Sequence, residues 1–256
     1  MHDVASFNLP LVAPALRLPP YRYNHVRRIS IVLETEPERI KAILPEPLEY
    51  VGNRYVVWLE HRVDQNPGPA PAAFAQPYDT YEASVDIPVR YKDLLGTHIP
   101  MMWVPTSEAD FARALAGREL QGIGKKMAHF QWDERVIDNE ILATMTRNGI
   151  PVIRCHLRLG GKAVDLPTTP PVISLKVAPR IDGSGFDLKK VVALDSWDVK
   201  VARREPADVV SFEVGESDED PLYRLKPTAV LGAMFTIWSG STEQPCGREL
   251  ADLLSD

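Results

Sequence analysis

Gly117-Arg118-Glu119-Leu120-Gln121-Gly122-Ile123-Gly124-Lys125-Lys126-Met127-Ala128 sets two lysines side by side among Gly, Ile, Met and Ala. On a surface turn both ammonium groups are solvated and the pair has no chemical meaning. In a buried segment the pair is costly, because desolvation and like-charge repulsion both favour the neutral amine. A neutral lysine is a nucleophile whose natural partner is a carbonyl. Free lysine titrates near ~10.4, so about one amine in a few thousand is neutral at pH 7. Lowering that value by about 3–4 units takes roughly 4–5.5 kcal/mol of destabilisation of the ammonium. An exposed neighbouring charge is screened and cannot supply it, whereas burial can. The nucleophile reading therefore demands a dry pocket around Lys125. Ile123, Met127, Met101, Met102 and Trp103 are apolar residues at hand for it, although each also suits an ordinary core.

Working outward, the chain reads as strand-rich with few helices. Its 23 prolines favour short elements joined by turns over a helical bundle. Residues 1–20, with Pro10, Pro14, Pro19 and Pro20, read as an extended arm. Arg28 to Glu34 is a strand by pattern. Thr35 then suits an N-cap, with Glu38 closing a capping box and Pro37 tolerated in the first turn. That helix is expected to stop at Pro45-Glu46-Pro47. Tyr55–Val63 and Thr80–Tyr91 read as strands, and the proline-rich stretch 66–77 between them as a loop. Ser107 or Asp110 suits the cap of a short helix ending at Gly117, just before the lysines. Hairpin-like pieces follow at His129–Val136, Glu140–Thr146, Pro151–Leu159, Val172–Val177 and Val191–Ala202. Breaks fall at Asp138-Asn139, Asn148-Gly149, Gly160-Gly161 and Asp182-Gly183, of which Asn148-Gly149 is a good tight-turn signal. A last helix is expected at Gly247–Leu254. It repeats the letters Gly-Arg-Glu-Leu of 117–120 without the lysines, which marks only a second helix start. No composition shift divides the chain, so residues 1–256 are read as a single domain.

Several function classes fall away. A net charge of −6 and the absence of a basic stripe with interleaved aromatics argue against nucleic acid as a partner. An apolar fraction of 45% with 25% charged residues is ordinary for a soluble domain. The longest apolar run, near Ala229 to Trp238, is far short of the ~20 residues a spanning helix needs. The N-terminus lacks the pattern of a secretion signal, and Cys155 and Cys246 form no disulfide framework, so a cytoplasmic protein is expected. The six histidines show no metal-ligand spacing. A phosphate loop would need Gly where Glu119 stands and Ser or Thr where Lys126 stands. No Gly-x-Ser-x-Gly nucleophile elbow occurs.

The order of several short motifs is informative. Gly-Arg-Glu-Leu-x4-Lys-Lys resembles the active-site segment of the acetoacetate decarboxylase family. Pro45-Glu46-Pro47-Leu48-Glu49 resembles an early Pro-Glu-Pro-Leu-Glu of the same family, and Glu82 with Pro88 a Glu-x5-Pro element upstream of the lysines. Lys176-Val177-Ala178-Pro179-Arg180-Ile181-Asp182-Gly183 resembles its Lys-x-x-Pro-x-x-Asp-Gly. These matches run in the family's order from about Tyr21 to Gly183, with weaker likeness beyond. The resemblance implies an α+β domain dominated by an antiparallel cone- or barrel-like sheet with a few peripheral helices, assembled as a homo-oligomer. It implies a cofactor-free lyase in which Lys125 forms a Schiff base with a small keto acid and Lys126 is its neighbour.

By the same resemblance Glu82 is the pocket glutamate that handles protons, and Glu60 is a second glutamate on the preceding strand. Such a carboxyl group has a raised pKa unless it is paired. The family's substrate-carboxylate arginine falls, without gaps, at Val26. Arg27 and Arg28 follow, and Arg28 shares strand parity with Val26. Ile123 and Gly124 stand where the family often has an aromatic and a proline. The expected substrate-binding residues are thus Arg28, Arg27, Ile123 and Met102, with no metal and no cofactor. Decarboxylation of a β-keto acid is the first expectation. Aldol or dehydration chemistry on a pyruvate-like substrate is the second, and a non-catalytic small-molecule binding protein of the same fold the third.

Overall fold

The computed structural model describes residues 20–65, 78–168, 170–195, 197–242 and 247–254. The expected N-terminal arm, apart from Pro20, and the expected loop 66–77 lie outside the described residues, as does Cys246. In chain order the elements are β1 (Tyr21–Glu34), α1 (Pro37–Lys41), β2 (Glu49–Tyr50), β3 (Arg54–Gln65), β4 (Tyr78–Tyr91), β5 (Leu94–Pro105) and α2 (Glu108–Gln121). There follow β6 (Lys125–Arg135), β7 (Glu140–Arg147), β8 (Ile150–Leu159), β9 (Val172–Pro179), β10 (Phe186–Leu194), β11 (Trp197–Val214), β12 (Ala229–Thr242) and β13 (Arg248–Asp252).

All the strands join one sheet, in the order β13-β10-β9-β5-β6-β7-β8-β11-β12-β1-β3-β4-β2, and β4 also pairs with β5. That extra pairing brings the sheet back on itself as a cone-like wall. Pairings are antiparallel except β5 with β6 and β5 with β9. A parallel neighbour needs a crossover, because the chain must return before it can run the same way again. α2 is that crossover for β6. It delivers Lys125 opposite Met102 and Lys126 opposite Trp103 in the parallel register.

Successive strand residues face opposite sides, and the two sides differ. Ile29, Ile31, Leu33, Tyr55, Val57, Leu59, Ala83, Val85, Ile87 and Trp103 belong to the main core. Val32, Val56, Trp58, Ile99, Met102 and Ile123 form a second, smaller cluster on the other side. The second side also carries the alternating residues Arg28, Glu60, Arg62 and Glu82, whose register places Arg28 opposite Glu60 and Glu60 opposite Glu82.

Several local expectations need correction. Thr35 does not cap α1. Its hydroxyl donates instead to the carbonyls of Leu225 and Lys226, and the cap position is Glu36 without a side-chain bond. α2 runs through Gly117 and stops at Gln121, with Gly122 as a left-handed C-cap at φ 69°. Gly117 is there for space: a Cβ on it would lie 2.6 Å from Lys125 Cε. Gly122 is needed twice over, since a Cβ would also meet the Lys176 backbone at 2.8 Å. The expected helix at 247–254 is β13, paired antiparallel with β10. A segment that short gains little as an isolated helix, whereas the free edge of β10 offers backbone partners and Arg248 and Glu249 find Asp195 and Lys190. The expected single strand 191–202 is two: β10 ends at Leu194, and β11 begins at Trp197 between β8 and β12. The apolar run near 229–238 is part of β12. The tight turn at Asn148-Gly149 is present, both residues with positive φ, 51° and 79°.

Candidate active site

The two lysines part at the start of β6. Lys125 shares the side of Met102 and Ile123, and its side chain is 11% exposed; that of Lys126, one residue on, is 42% exposed. Lys125 Nζ donates to Glu82 Oε1 at 2.6 Å. Lys126 Nζ reaches the other way, to the Glu219 carbonyl and, at 3.2 Å, to Asp220 Oδ1. Arg147 also holds Glu219 and Asp220, at 2.6 and 3.2 Å. Lys126 is therefore a tie between β6 and the segment before the short 3₁₀ turn Pro221–Leu225, and is not beside the Lys125 amine. A cleft of about 290 Å³ lies on its side, lined in part by Met101, Trp103, Lys126 and Asp220. Met101 and Trp103 alternate with Met102 along β5 and so face away from Lys125, and the Trp103 indole donates to Asp220 Oδ1 at 2.9 Å. Of the expected apolar neighbours, Met102, Ile123 and, by strand alternation, Met127 share the side of Lys125.

Around Glu82 the sheet holds a buried ionic network. Arg62 bridges the two glutamates, with Nη2 at 2.7 Å from Glu60 Oε2 and in a short contact with Glu82 Oε2. Directly opposed like charges in a sheet repel, and this guanidinium answers the repulsion. Arg28 Nε donates to Glu60 Oε1. Its guanidinium carbon lies 4.5 Å from the Trp58 ring centre and 5.4 Å from that of Trp238. At 31% exposure Arg28 is the most accessible guanidinium of the group, while Val26, two residues before it on the same side of β1, is fully buried. Arg27 is not in the site. It faces the other side, 3.2 Å from Glu134 on β6 and hydrogen-bonded to His25.

α2 closes the network. Ser107 caps the helix by accepting from Asp110 N, and Asp110 Oδ1 accepts from Thr80 Oγ1 at 2.7 Å and Arg113 Nη1 at 2.5 Å. Arg113 Nη2 then lies 3.4 Å from Glu82 Oε2. The buried positions of α2 are Asp110, Ala114, Ala116, Gly117 and Gln121, all small or polar. This helix docks by charge and close approach more than by apolar area.

The titration of the pair follows from this packing. Burial depresses the Lys125 amine most; Glu82 pulls the other way, while Arg113 and Arg62 depress it further. Burial opposes the charge on Glu82, yet Arg62, Lys125 and Arg113 outweigh it and hold the carboxyl well below the usual range. The expectation of a raised value for an unpaired glutamate does not apply, because Glu82 is paired three times. Burial raises the Tyr23 phenol, 5.0 Å from Arg62 in ring-to-guanidinium distance, to about 12. Three carboxylates (Glu60, Glu82, Asp110) face three guanidinium groups (Arg28, Arg62, Arg113). The three guanidinium groups thus match the three carboxylates in number without Lys125.

Sequence reading missed Arg62 and Arg113. A signal for each was available: Arg62 shares strand parity with Glu60, and Arg113 sits one helical turn before Gly117. Among the described residues no group of three His, Cys, Asp or Glu is placed to hold a metal ion, and no helix is long and apolar enough to cross a membrane.

The protein is of a class in which one cone-like sheet buries a strand lysine against a glutamate. The profile of the family described as acetoacetate decarboxylase matches residues 8–245. An acetoacetate decarboxylase of Burkholderia vietnamiensis is 30% identical over 189 residues, 71% of each chain. The crystal structure of acetoacetate decarboxylase from Legionella pneumophila superposes with a TM-score of 0.79 at 20% identity, covering 99% of this chain and 98% of that one. The enduracididine biosynthesis enzyme MppR, in complex with the condensation product of pyruvate and imidazole 4-carboxaldehyde, superposes with a TM-score of 0.76 at 15% identity, covering 96% and 97%. The chain belongs to the acetoacetate decarboxylase family, a family of lyases.

Proposed function

We propose that the protein is a cofactor-independent lyase that forms a Schiff base between Lys125 and a small keto acid, and that it decarboxylates a β-keto acid to a ketone. The observation that carries this reading is the buried Lys125–Glu82 pair inside a network already balanced in charge. Lys125 Nζ attacks the ketone carbon, and loss of water gives an iminium. The bond to the carboxylate breaks, its electron pair flows toward the iminium nitrogen, and carbon dioxide and an enamine result. Protonation at carbon and hydrolysis release the ketone and the amine. Glu82, held as an anion 2.6 Å from the amine, orients it and stabilises the positive charge that forms on its nitrogen. Glu60 and Arg62 fix Glu82 in place. Arg28, about a third exposed and seated against Trp58, is the group for the substrate carboxylate, and Met102 and Ile123 supply an apolar wall.

A second reading keeps the Schiff base and ends in aldol or dehydration chemistry on a pyruvate-like substrate. It is favoured by the loss of the arginine at position 26 and by the MppR complexes. Borohydride reduction in the presence of acetoacetate or pyruvate, followed by peptide mass spectrometry, is expected to leave an adduct on Lys125. Carbon dioxide release separates the two readings. A failure of a broad set of carbonyl compounds to label Lys125 would leave only a binding protein of this fold.

A further inference from the structure

Arg113 has one half of its guanidinium hydrogen-bonded and the other half only at ion-pair distance from Glu82. Nη1 is held by Asp110 Oδ1 at 2.5 Å and Thr80 Oγ1 at 2.8 Å. Asp110 is itself fixed, because Ser107 Oγ donates to its second oxygen at 2.6 Å and it lies in the first turn of α2, where a carboxylate is favoured by the helix dipole. Nη2 is buried and makes no hydrogen bond among the described residues. It is aimed at Glu82 Oε2, 3.4 Å away, while Lys125 occupies Oε1 of the same carboxylate. A buried donor without a full partner is costly and rare enough to need a reason. With Nη1 bonded to Asp110 and Thr80, Nη2 stands at ion-pair distance from Glu82 without a hydrogen bond to it.

We propose that Arg113 is a positioning residue for the amine: from α2 it fixes the face of Glu82 that Lys125 uses and is a cation beside Lys125, the place that the adjacent Lys126 leaves vacant by pointing to the opposite side of the sheet. The sequence puts two cations next to each other, and the fold replaces one of them by an arginine from a different element. Arg62 is the second cation near the amine, but it is shared between Glu60 and Glu82 and is held to both. The groups that face Lys125 are thus Glu82, Arg113 and Arg62, with Glu60, Asp110 and Tyr23 behind them. Arg113 depresses the amine after burial has done so, against the pull of Glu82.

This inference rests on Lys125 as the nucleophile, but its test does not need turnover. Lys125 in the full chain is titrated by competitive labelling with acetic anhydride over a pH series, read by peptide mass spectrometry. Replacing Arg113 by Met is expected to move the labelling midpoint upward by about half to one pH unit, a roughly three- to tenfold loss of neutral amine below it. Arg113→Lys, which keeps the charge, is expected to stay close to the parent. The acid limb of kcat/KM should move with the midpoint. If Arg113→Met does not fold, Arg113→Gln, with amide donors for Asp110 and Thr80, carries the same expectation. An unchanged midpoint in a folded neutral variant overturns the proposal. So does an equal shift in Arg113→Lys, because charge would then not be what acts. If the parent never forms an imine but the midpoint still moves, the lyase reading fails and the role of Arg113 beside the amine stands.

Discussion

Lys125 and Lys126 are neighbours in the chain and strangers in the fold. One lies on the side of the sheet where Glu60, Glu82, Arg62 and Arg113 are packed together; the other is tied to Asp220 and the Glu219 carbonyl beside an open cleft. The strand's twofold alternation separates them, and the parallel register that α2 imposes decides which of them meets Met102. Like charges adjacent in sequence therefore do not make a cation pair in space. The repulsion that helps to depress one amine comes from arginines on β3 and α2. What the second lysine contributes is a surface tie, half exposed and of the kind that contributes little to stability.

The comparison is broken most directly at Lys125. Lys125→Met is expected to abolish borohydride trapping and to cost roughly 10⁴-fold or more in turnover, as removal of a nucleophile does. Its stability should also betray the depressed amine. A lysine whose folded pKa is lowered binds fewer protons native than unfolded, so the parent gains stability as pH rises from the folded value toward the ordinary lysine range. The melting-temperature difference between Lys125→Met and parent should therefore drift in the parent's favour over that interval. A constant difference would mean that the amine is solvated. Gly117→Ala sharpens the same side. The added methyl meets Lys125 Cε at 2.6 Å, so the amine must shift, while an interior helix gains up to ~1 kcal/mol of propensity. Activity should fall by about 10²-fold, as small misplacements of reacting groups do, with the melting point level or higher. A fall in both would point to damaged packing instead.

Much of this was legible in the chain. The alternation of Thr80–Tyr91 and Tyr55–Val63 gave strands that the structure contains, and the motif order named Lys125, Glu82 and Glu60, which the fold brings into one network. The rest was not local. Strand parity sets Arg28 apart from Arg27, but which side of β1 carries Glu60 and Glu82 beside it depends on the pairing with β3. The β13 segment carries a helix-like start that an unpaired strand edge overrules. Gly117 reads as a helix stop from sequence, because only the structure shows the lysine side chain that lies across it. Arg113 projects from a helix whose buried face is polar, and a search for apolar stripes passes over such a helix.

A more modest effect is expected on the other side. Lys126→Met should change kcat and KM by no more than about threefold and lower stability by under about 1 kcal/mol, since Asp220 keeps Arg147 and the Trp103 indole. Kinetics and a denaturant melt read both. Loss of imine trapping in this variant would restore Lys126 to the site and collapse the contrast between the two sides.

The finest test lies within the Lys125 side itself. Glu82 and Asp86 stand four residues apart on the same face of β4, and their surroundings push them in opposite directions. Glu82 is wrapped by cations and stays ionised. Asp86 sits toward the apolar cluster of Val56 and Trp58; burial raises its carboxyl to about 6, with Ser84 Oγ donating to it at 2.5 Å and Arg28 opposing the rise. A carboxyl whose folded pKa is raised holds its proton longer in the native state, so its contribution is fully present below the ordinary carboxylate range and is lost as pH rises through about 6. Asp86→Asn mimics the protonated form and removes that slope. It should match the parent near pH 4 and melt higher by several degrees near pH 7, whereas Glu82→Gln should fall further below the parent as pH rises over the acid range. Melting curves over a pH series distinguish them by the sign of the slope. Equal slopes in the two variants would mean that the cations around Glu82 do not set its charge, and the electrostatic distinction between the two ends of that strand face would be lost.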